Sequence, residues 1–173
     1  MSRPKAEKAS LSNASARLAT PEDAAEIARV LLEAFTVIRE HYTTEAFEVV
    51  TPKAEVIEGR FAEGPMWVAE VDGRVVGTVS LTTEPEGLYV RSMAVSPTTQ
   101  KLGIGRLLLE ALHEHAAGTG VTRIFLYTLP FQSGARAMYE KNGYRWVRDT
   151  TADEWYGVPG LEMEKIVGKE NAA

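Results

Sequence analysis

From Leu88 to Ala117 the chain passes from a strand through a glycine loop into a helix without a spacer, and this run restricts the fold more than any other. Its opening, Leu88–Val95 (LYVRSMAV), changes phase. Leu88 and Val90 are apolar at even positions, Met93 and Val95 at odd ones. Side chains alternate between the faces of a sheet, so a slip of one residue turns every later side chain to the other face. Two arrangements answer this. A β-bulge near Arg91-Ser92 returns Met93 and Val95 to the core face, bends the strand and frees main-chain groups for an extended ligand. Alternatively, the strand is buried on both faces and needs no bulge.

Gln100-Lys101-Leu102-Gly103-Ile104-Gly105-Arg106 follows, opening the helix Ile104–Ala117 (IGRLLLEALHEHAA), in which Leu107, Leu108, Ala111, Leu112 and His115 share a face. Gly103 and Gly105 let the backbone approach a ligand closely. The first-turn N–H groups have no intrahelical acceptor, and with the helix dipole they form an anion site suited to a pyrophosphate. Lys101 and Arg106 add positive charge. A lone G-x-G also occurs where a loop merely enters a helix. Two other phosphate loops are excluded: the Walker pattern needs Lys-Ser/Thr where Arg106-Leu107 stands, and the dinucleotide fingerprint needs glycine where Leu108 stands.

The remainder reads around this run. Thr20-Pro21-Glu22-Asp23 starts a helix with a capping box, continued by Ala24, Ile27, Ala28, Leu31, Leu32 and Phe35 on one face. Ala16–Ala19 is a short strand. Thr44–Ala62 is helical, broken at Thr51-Pro52. Asp72-Gly73 joins two strands, Met66–Val71 and Val75–Leu81, as a hairpin. Arg123–Leu129 is a buried strand, Gln132–Asn142 a short helix, and Tyr144–Val147 and Leu161–Ile166 late strands. The order β-α-α-β-β-β-α-β-α-β-β, with a right-handed parallel crossover from Leu88 to Leu129, predicts an α/β (α+β) fold. Its central sheet is mixed, mostly antiparallel and flanked by helices on both faces. Residues 16–168 form one domain between tails at 1–15 and 169–173.

A chain of 173 residues with a formal net charge of −5 is poorly suited to a phosphate backbone, so no nucleic-acid partner is expected. That sign suits a basic substrate, although net charge does not say where the charges sit. No apolar run reaches the roughly 20 residues that span a bilayer, and Met1–Ser15 lacks the core of a secretory signal, so no membrane partner and a cytoplasmic location are expected. The chain has no cysteine, which excludes disulfides, a thiolate nucleophile and a Cys-ligated zinc. His113 and His115, two apart on a helix, do not share a face, and no catalytic metal is expected.

Two segments together resemble the GCN5-related N-acetyltransferases (GNAT). Met93-Ala94-Val95-Ser96-Pro97 followed by Gln100-Lys101-Leu102-Gly103-Ile104-Gly105 is similar to the family's Q/R-x-x-G-x-G/A signature after a strand ending in Ala-Val. Ala135–Tyr144 (ARAMYEKNGY) is similar to its A-x-x-x-Y-x-x-x-G-F/Y element. The resemblance runs from about Ala16 to Ile166. It implies an acyltransferase, an N-acetyltransferase using acetyl-CoA. Met93 and Val95 main-chain groups would pair with the pantetheine arm, residues from Lys101 to Arg106 would hold the pyrophosphate, and Tyr139 would protonate the leaving thiolate. The family often carries Asn seven residues before this Tyr, contacting the cofactor; here the residue is Gln132.

Acyl transfer from a thioester to an amine needs three services. An alkylamine has a pKa near 10 and must lose a proton before it attacks. Glu40, His41, Glu84 and Glu86 are the candidate bases or acceptor-wall residues. The oxyanion needs a donor, which a backbone N–H of Ala94 or Val95 supplies. The thiolate needs an acid, for which a tyrosine hydroxyl is competent. Tyr89 and Arg91 are expected in the acceptor pocket, covered by Trp155 and Tyr156. No covalent enzyme intermediate is required, which predicts direct attack in a ternary complex. Transfer of a longer acyl group and an acyl-CoA-binding sensor without turnover remain as alternatives. The acceptor is open among a protein N-terminus, lysine, polyamine, aminoglycoside or other small amine, and the late strands offer an edge for a homodimer.

Overall fold

A computed structural model describes residues 13–99 and 102–168. The expected tail segments 1–12 and 169–173, and Gln100 and Lys101 of the glycine loop, lie outside the described residues. One seven-stranded sheet organises the rest, in the order β1-β2-β3-β4-β5-β7-β6. The strands are β1 (Ala14–Leu18), β2 (Met66–Val71), β3 (Arg74–Glu84), β4 (Gly87–Val95), β5 (Arg123–Thr128), β6 (Arg145–Asp149) and β7 (Leu161–Ile166). Every neighbouring pair is antiparallel except β4–β5. β1 begins at Ala14, so Ala14 and Ser15 belong to the sheet rather than to a tail.

Local chemistry sets the boundaries. Asp72 and Gly73 turn β2 into β3 with φ of 50° and 78°, the positive pair that matches the twist of a tight hairpin. The Thr20 main-chain N–H donates to Asp23 Oδ2 at 2.8 Å, and Arg17 holds the same carboxylate, fixing the entry to α1 (Ala24–Thr36). Pro52 separates α2 (Thr44–Val50) from α3 (Ala54–Arg60).

Helices cover both faces of the sheet. On one face α4 (Ile104–Ala117) and α5 (Ser133–Lys141) bury Leu108, Leu109, Leu112 and Tyr139 against Val79, Leu81, Ile124, Leu126 and Met163. On the other, α1 and α3 bury Ile27, Val30, Leu31 and Ile57 against Val68 and Val75. Two helical faces sit about one residue from the expected ones. In α1, Val30 is fully buried and Leu32 is half exposed. In α4 the buried row is Ile104, Leu108, Leu109, Leu112 and Ala116, and His115 lies outside it, edge-on to Trp67. The row centres on Leu108 because helical neighbours four apart align under the sheet.

His113 of α4 is half-buried, its Nε2 2.8 Å from the Tyr144 hydroxyl. Burial, and secondarily the nearby Lys165 charge, push its pKa down from 6.5 to about 4. The unfolded chain therefore takes up this proton first. The stability contribution is complete above about pH 6.5 and drains away as pH falls through 4. Thermal melts should show a larger loss of Tm between pH 7 and 4.5 for the native chain than for His113→Gln; equal losses would show that acid sensitivity arises elsewhere.

Candidate active site

The phase change in β4 is resolved by a bulge. β3 pairs Thr78 with Ala94 but Ser80 with Arg91, so Val79 alone faces Ser92 and Met93. Ser92 takes φ of 56°, in the left-handed region. The Ser80 hydroxyl donates to the Arg91 carbonyl at 3.0 Å and helps fix this geometry. Beyond the bulge, Met93 and Val95 pack against the same core as Leu88 and Val90. A bulge bends its strand. Parallel pairing of β4 with β5 is confined to Leu88–Ile124 and Tyr89–Phe125, and past Val90 the two strands part.

A cavity of about 1420 Å³ opens along this split. A typical small-molecule pocket is about 300–1,000 Å³, so this one has room for a long ligand and a second reactant. One side is formed by Gly103, Ile104, Gly105 and Arg106 of α4 and by α5. The other is formed by the end of α1, Tyr42, the end of α2 and Arg60. Main-chain edges of Met93, Ala94 and Val95 run between them with no strand alongside.

Gly103 precedes α4 with φ of 78°, a conformation open to glycine at little steric cost. Among the described residues the first α4 amide bonded back to the loop is that of Leu107, which reaches the Gly103 carbonyl at 3.1 Å; a helix start leaves the amides before it without an intrahelical acceptor. Gly105 lines the cavity and has a packing role besides. A Cβ there would stand 2.4 Å from Met138 Sδ, so its absence lets α5 seat against α4. Leu102 packs on the core. Arg106 is largely exposed and paired with Glu110 at 2.8 Å. Gln132 lines the cavity, with Thr128 Oγ1 3.4 Å from its Oε1. Thr99, which sequence reasoning missed, also lines it and anchors the loop by donating to the Ser96 carbonyl at 3.1 Å.

Tyr139 of α5 lines this cavity, 6% exposed. Its ring packs edge-on against Tyr144, and its hydroxyl bonds to no other described residue. Burial, with a smaller contribution from Tyr89, pushes its pKa well above the ordinary 10 and keeps the hydroxyl protonated.

Tyr89, Arg91 and Trp155 line the opposite half as expected, whereas Tyr156 lies outside the lining. The four candidate base or wall residues are not brought to the cavity. Glu84 ends β3 and accepts from Thr82, and Glu86 lies in the exposed turn after it, because β3 and β4 pair to their ends and carry both carboxylates past the split. The Glu40 side chain is 82% exposed, and His41 stacks on the outer side of Phe131, ring centroids 3.6 Å apart. Among the described residues the cavity wall contains only two carboxylates, Glu110 on Arg106 and Glu154 on Arg148. Arg148 and the Thr151 N–H hold Glu154 down at about 2. Arg60 and Tyr42 are wall residues that sequence reasoning missed; each follows or ends a short helical turn whose direction no local pattern reveals.

The model of the acetyltransferase (GNAT) family matches residues 26–144. The chain belongs to the GNAT family. Among curated GNAT relatives, an S-(2-succino)cysteine N-acetyltransferase of Bacillus subtilis is 29% identical over 86% of this chain and 93% of its own. An IAA acetyltransferase of Azospirillum brasilense is 37% identical over 44% of this chain, and the match spans about half of that relative, 52%. The PaiA N-acetyltransferase of Thermoplasma acidophilum, crystallised with coenzyme A, shares the fold with a TM-score of 0.74 at 20% identity, over 88% of this chain and 98% of its own.

In this GNAT chain the close α4–α5 contact is what sets Tyr139 against the split. Gly105→Ala should push Met138 aside and destabilise the domain by about 1–3 kcal/mol, as overpacking does. Urea unfolding checks this; an unchanged midpoint would mean that Met138 swings away freely.

Proposed function

We propose that this chain transfers an acetyl group from acetyl-CoA to a primary amine, by direct attack within a ternary complex. The observation that carries the reading is the single cavity running through the parted strands, from the free amides of α4, past Tyr139, to a separate wall on the other face. One molecule held at each end meets the other at Tyr139.

The residues fit coenzyme A. Gly103–Arg106 offer main-chain donors at a helix start for a pyrophosphate, the unpaired edge at Met93–Val95 offers an extended arm strand-like hydrogen bonds, and Gln132 faces the same channel. Acetyl-CoA supplies the activated acyl carbonyl and a thiolate leaving group. The Val95 N–H, which the register turns away from β3, stabilises the charge that develops on the carbonyl oxygen, while that of Ala94 is turned toward β3. The C–N bond forms as the C–S bond breaks. Tyr139 gives its proton to the departing sulfur and regains one from solvent, while the amine proton leaves through water. Water suffices for an amine that is partly neutral at working pH, such as an α-amino group with a pKa near 8, and this agrees with a wall whose carboxylates are already held by arginines. The N-acetyltransferase named among the relatives supports the same class of reaction.

Tyr139→Phe keeps the packing and removes the proton. Its turnover should fall about 10²-fold, measured as thiol release, while calorimetric affinity for coenzyme A stays within about twofold. An unaffected rate would remove Tyr139 from the mechanism.

A further inference from the structure

The acceptor half of the cavity holds two guanidinium groups and little to balance them. Arg60, at the end of α3, and Arg91, on β4, both line it. The Arg60 Nη1 reaches the neutral Ser92 hydroxyl at 3.4 Å, and no described carboxylate lies within ion-pair distance of it. Desolvation, and then repulsion from Arg91, pull its pKa below the ordinary value. Arg91 gives Nη2 to Glu63, whose side chain is 51% exposed, while its Nε is buried without a hydrogen-bond partner. Two cations thus share one solvent-facing carboxylate. A buried charged donor without an acceptor is costly and uncommon in native folds.

The surroundings narrow what completes the pair. Phe35, Tyr42 and Trp155 form an apolar wall beside the arginines, with Tyr42 edge-on to both other rings. Tyr89 shares the cavity wall with both arginines and with Tyr139. Its hydroxyl feels Arg91, Glu84 and Arg60, and Tyr139 feels Tyr89 in turn. A second cationic group on the acceptor would be repelled here, which disfavours polyamines and aminoglycosides. A guanidinium fork matches a carboxylate in shape and charge.

We infer that the amine acceptor carries a carboxylate, received jointly by Arg60 and Arg91 while its amino group faces Tyr139. This names the substrate class of the site and rests on the acetyl-transfer reading. The acceptor is an amino acid or a similar small amino-carboxylate, one end an amine that reacts in its neutral form and the other anionic for its capture.

Product binding tests the site without requiring turnover. The full chain saturated with coenzyme A is titrated calorimetrically with N-acetylglutamate and N-acetylmethionine, and with the carboxamide of each. At least one acid should bind about 10- to 100-fold more tightly than its amide, the range of a charge-assisted hydrogen bond. Arg60→Gln and Arg91→Gln should each erase most of that preference, Arg60→Lys should restore part of it, and thermal melts show which variants are folded. Equal affinity for acid and amide in both pairs, or a preference that survives both Gln variants, overturns the carboxylate site. Acid preference without thiol release from acetyl-CoA for any parent amine keeps the site and overturns acetyl transfer instead.

Discussion

The extra residue in β4 is the constraint on which the rest depends. A strand in mid-sheet ordinarily gives both of its main-chain edges to its neighbours. Here β3 keeps one edge through the bulge at Ser92-Met93, and β5 takes the other only as far as Tyr89. The bulge preserves the core, since Met93 and Val95 still face the side that Leu88 and Val90 face. It also bends the strand away, so a polar edge ends in the middle of the domain without a partner. Such an edge is a liability unless something extended lies along it. The same one-residue irregularity therefore keeps the hydrophobic face continuous and opens a slot through the sheet.

The slot is useful because two helices meet over it at close range. α4 follows Gly103 with its first turn on the cavity wall, and α5 lies across it with Met138 against Gly105. Tyr139, the next residue, is set on the cavity wall beside that contact. The pairing of Gly105 with Met138 links the two motifs of the sequence physically. One glycine lets a helix begin in a left-handed turn, and the other lets the neighbouring helix approach. A tyrosine placed this way is buried by the packing that positions it, which explains why its hydroxyl stays protonated and bonds to no described group.

Much of this was legible in the chain itself. The β4 phase slip, the hairpin at Asp72-Gly73 and the bounds of α4 and β7 follow from local periodicity and turn chemistry, which act over a few residues, whereas Tyr139 is singled out by the family resemblance of Ala135–Tyr144. What stayed hidden depends on distant parts of the chain. Whether Glu84 faces the cleft is decided by how far β3 and β4 remain paired, and the full-length pairing carries it away. Arg60 reaches the cavity because α3 docks on α1, and a seven-residue helix ending in arginine gives no sign of that. Gly105 lines the cavity and is also pressed by α5, a second role that its motif does not show. Local rules name the elements, whereas the acceptor wall is assembled from pieces that meet only through tertiary packing.

The chain's charge makes the same point at longer range. A net charge of −5 suggests a preference for cations, yet the cavity offers helix-start amides at one end and two arginines at the other. Screening resolves the conflict. At physiological ionic strength a surface charge is felt over about 8 Å, so carboxylates elsewhere on the surface contribute little inside the slot. Within it, low local polarity strengthens whatever charges line the wall. Among the described residues Glu110 and Glu154, the carboxylates on that wall, are each paired with their own arginine, so the cations Arg60, Arg91 and Lys141 of the lining weigh most in its field. The total charge belongs to the whole surface, whereas the few side chains that line the slot set its local field.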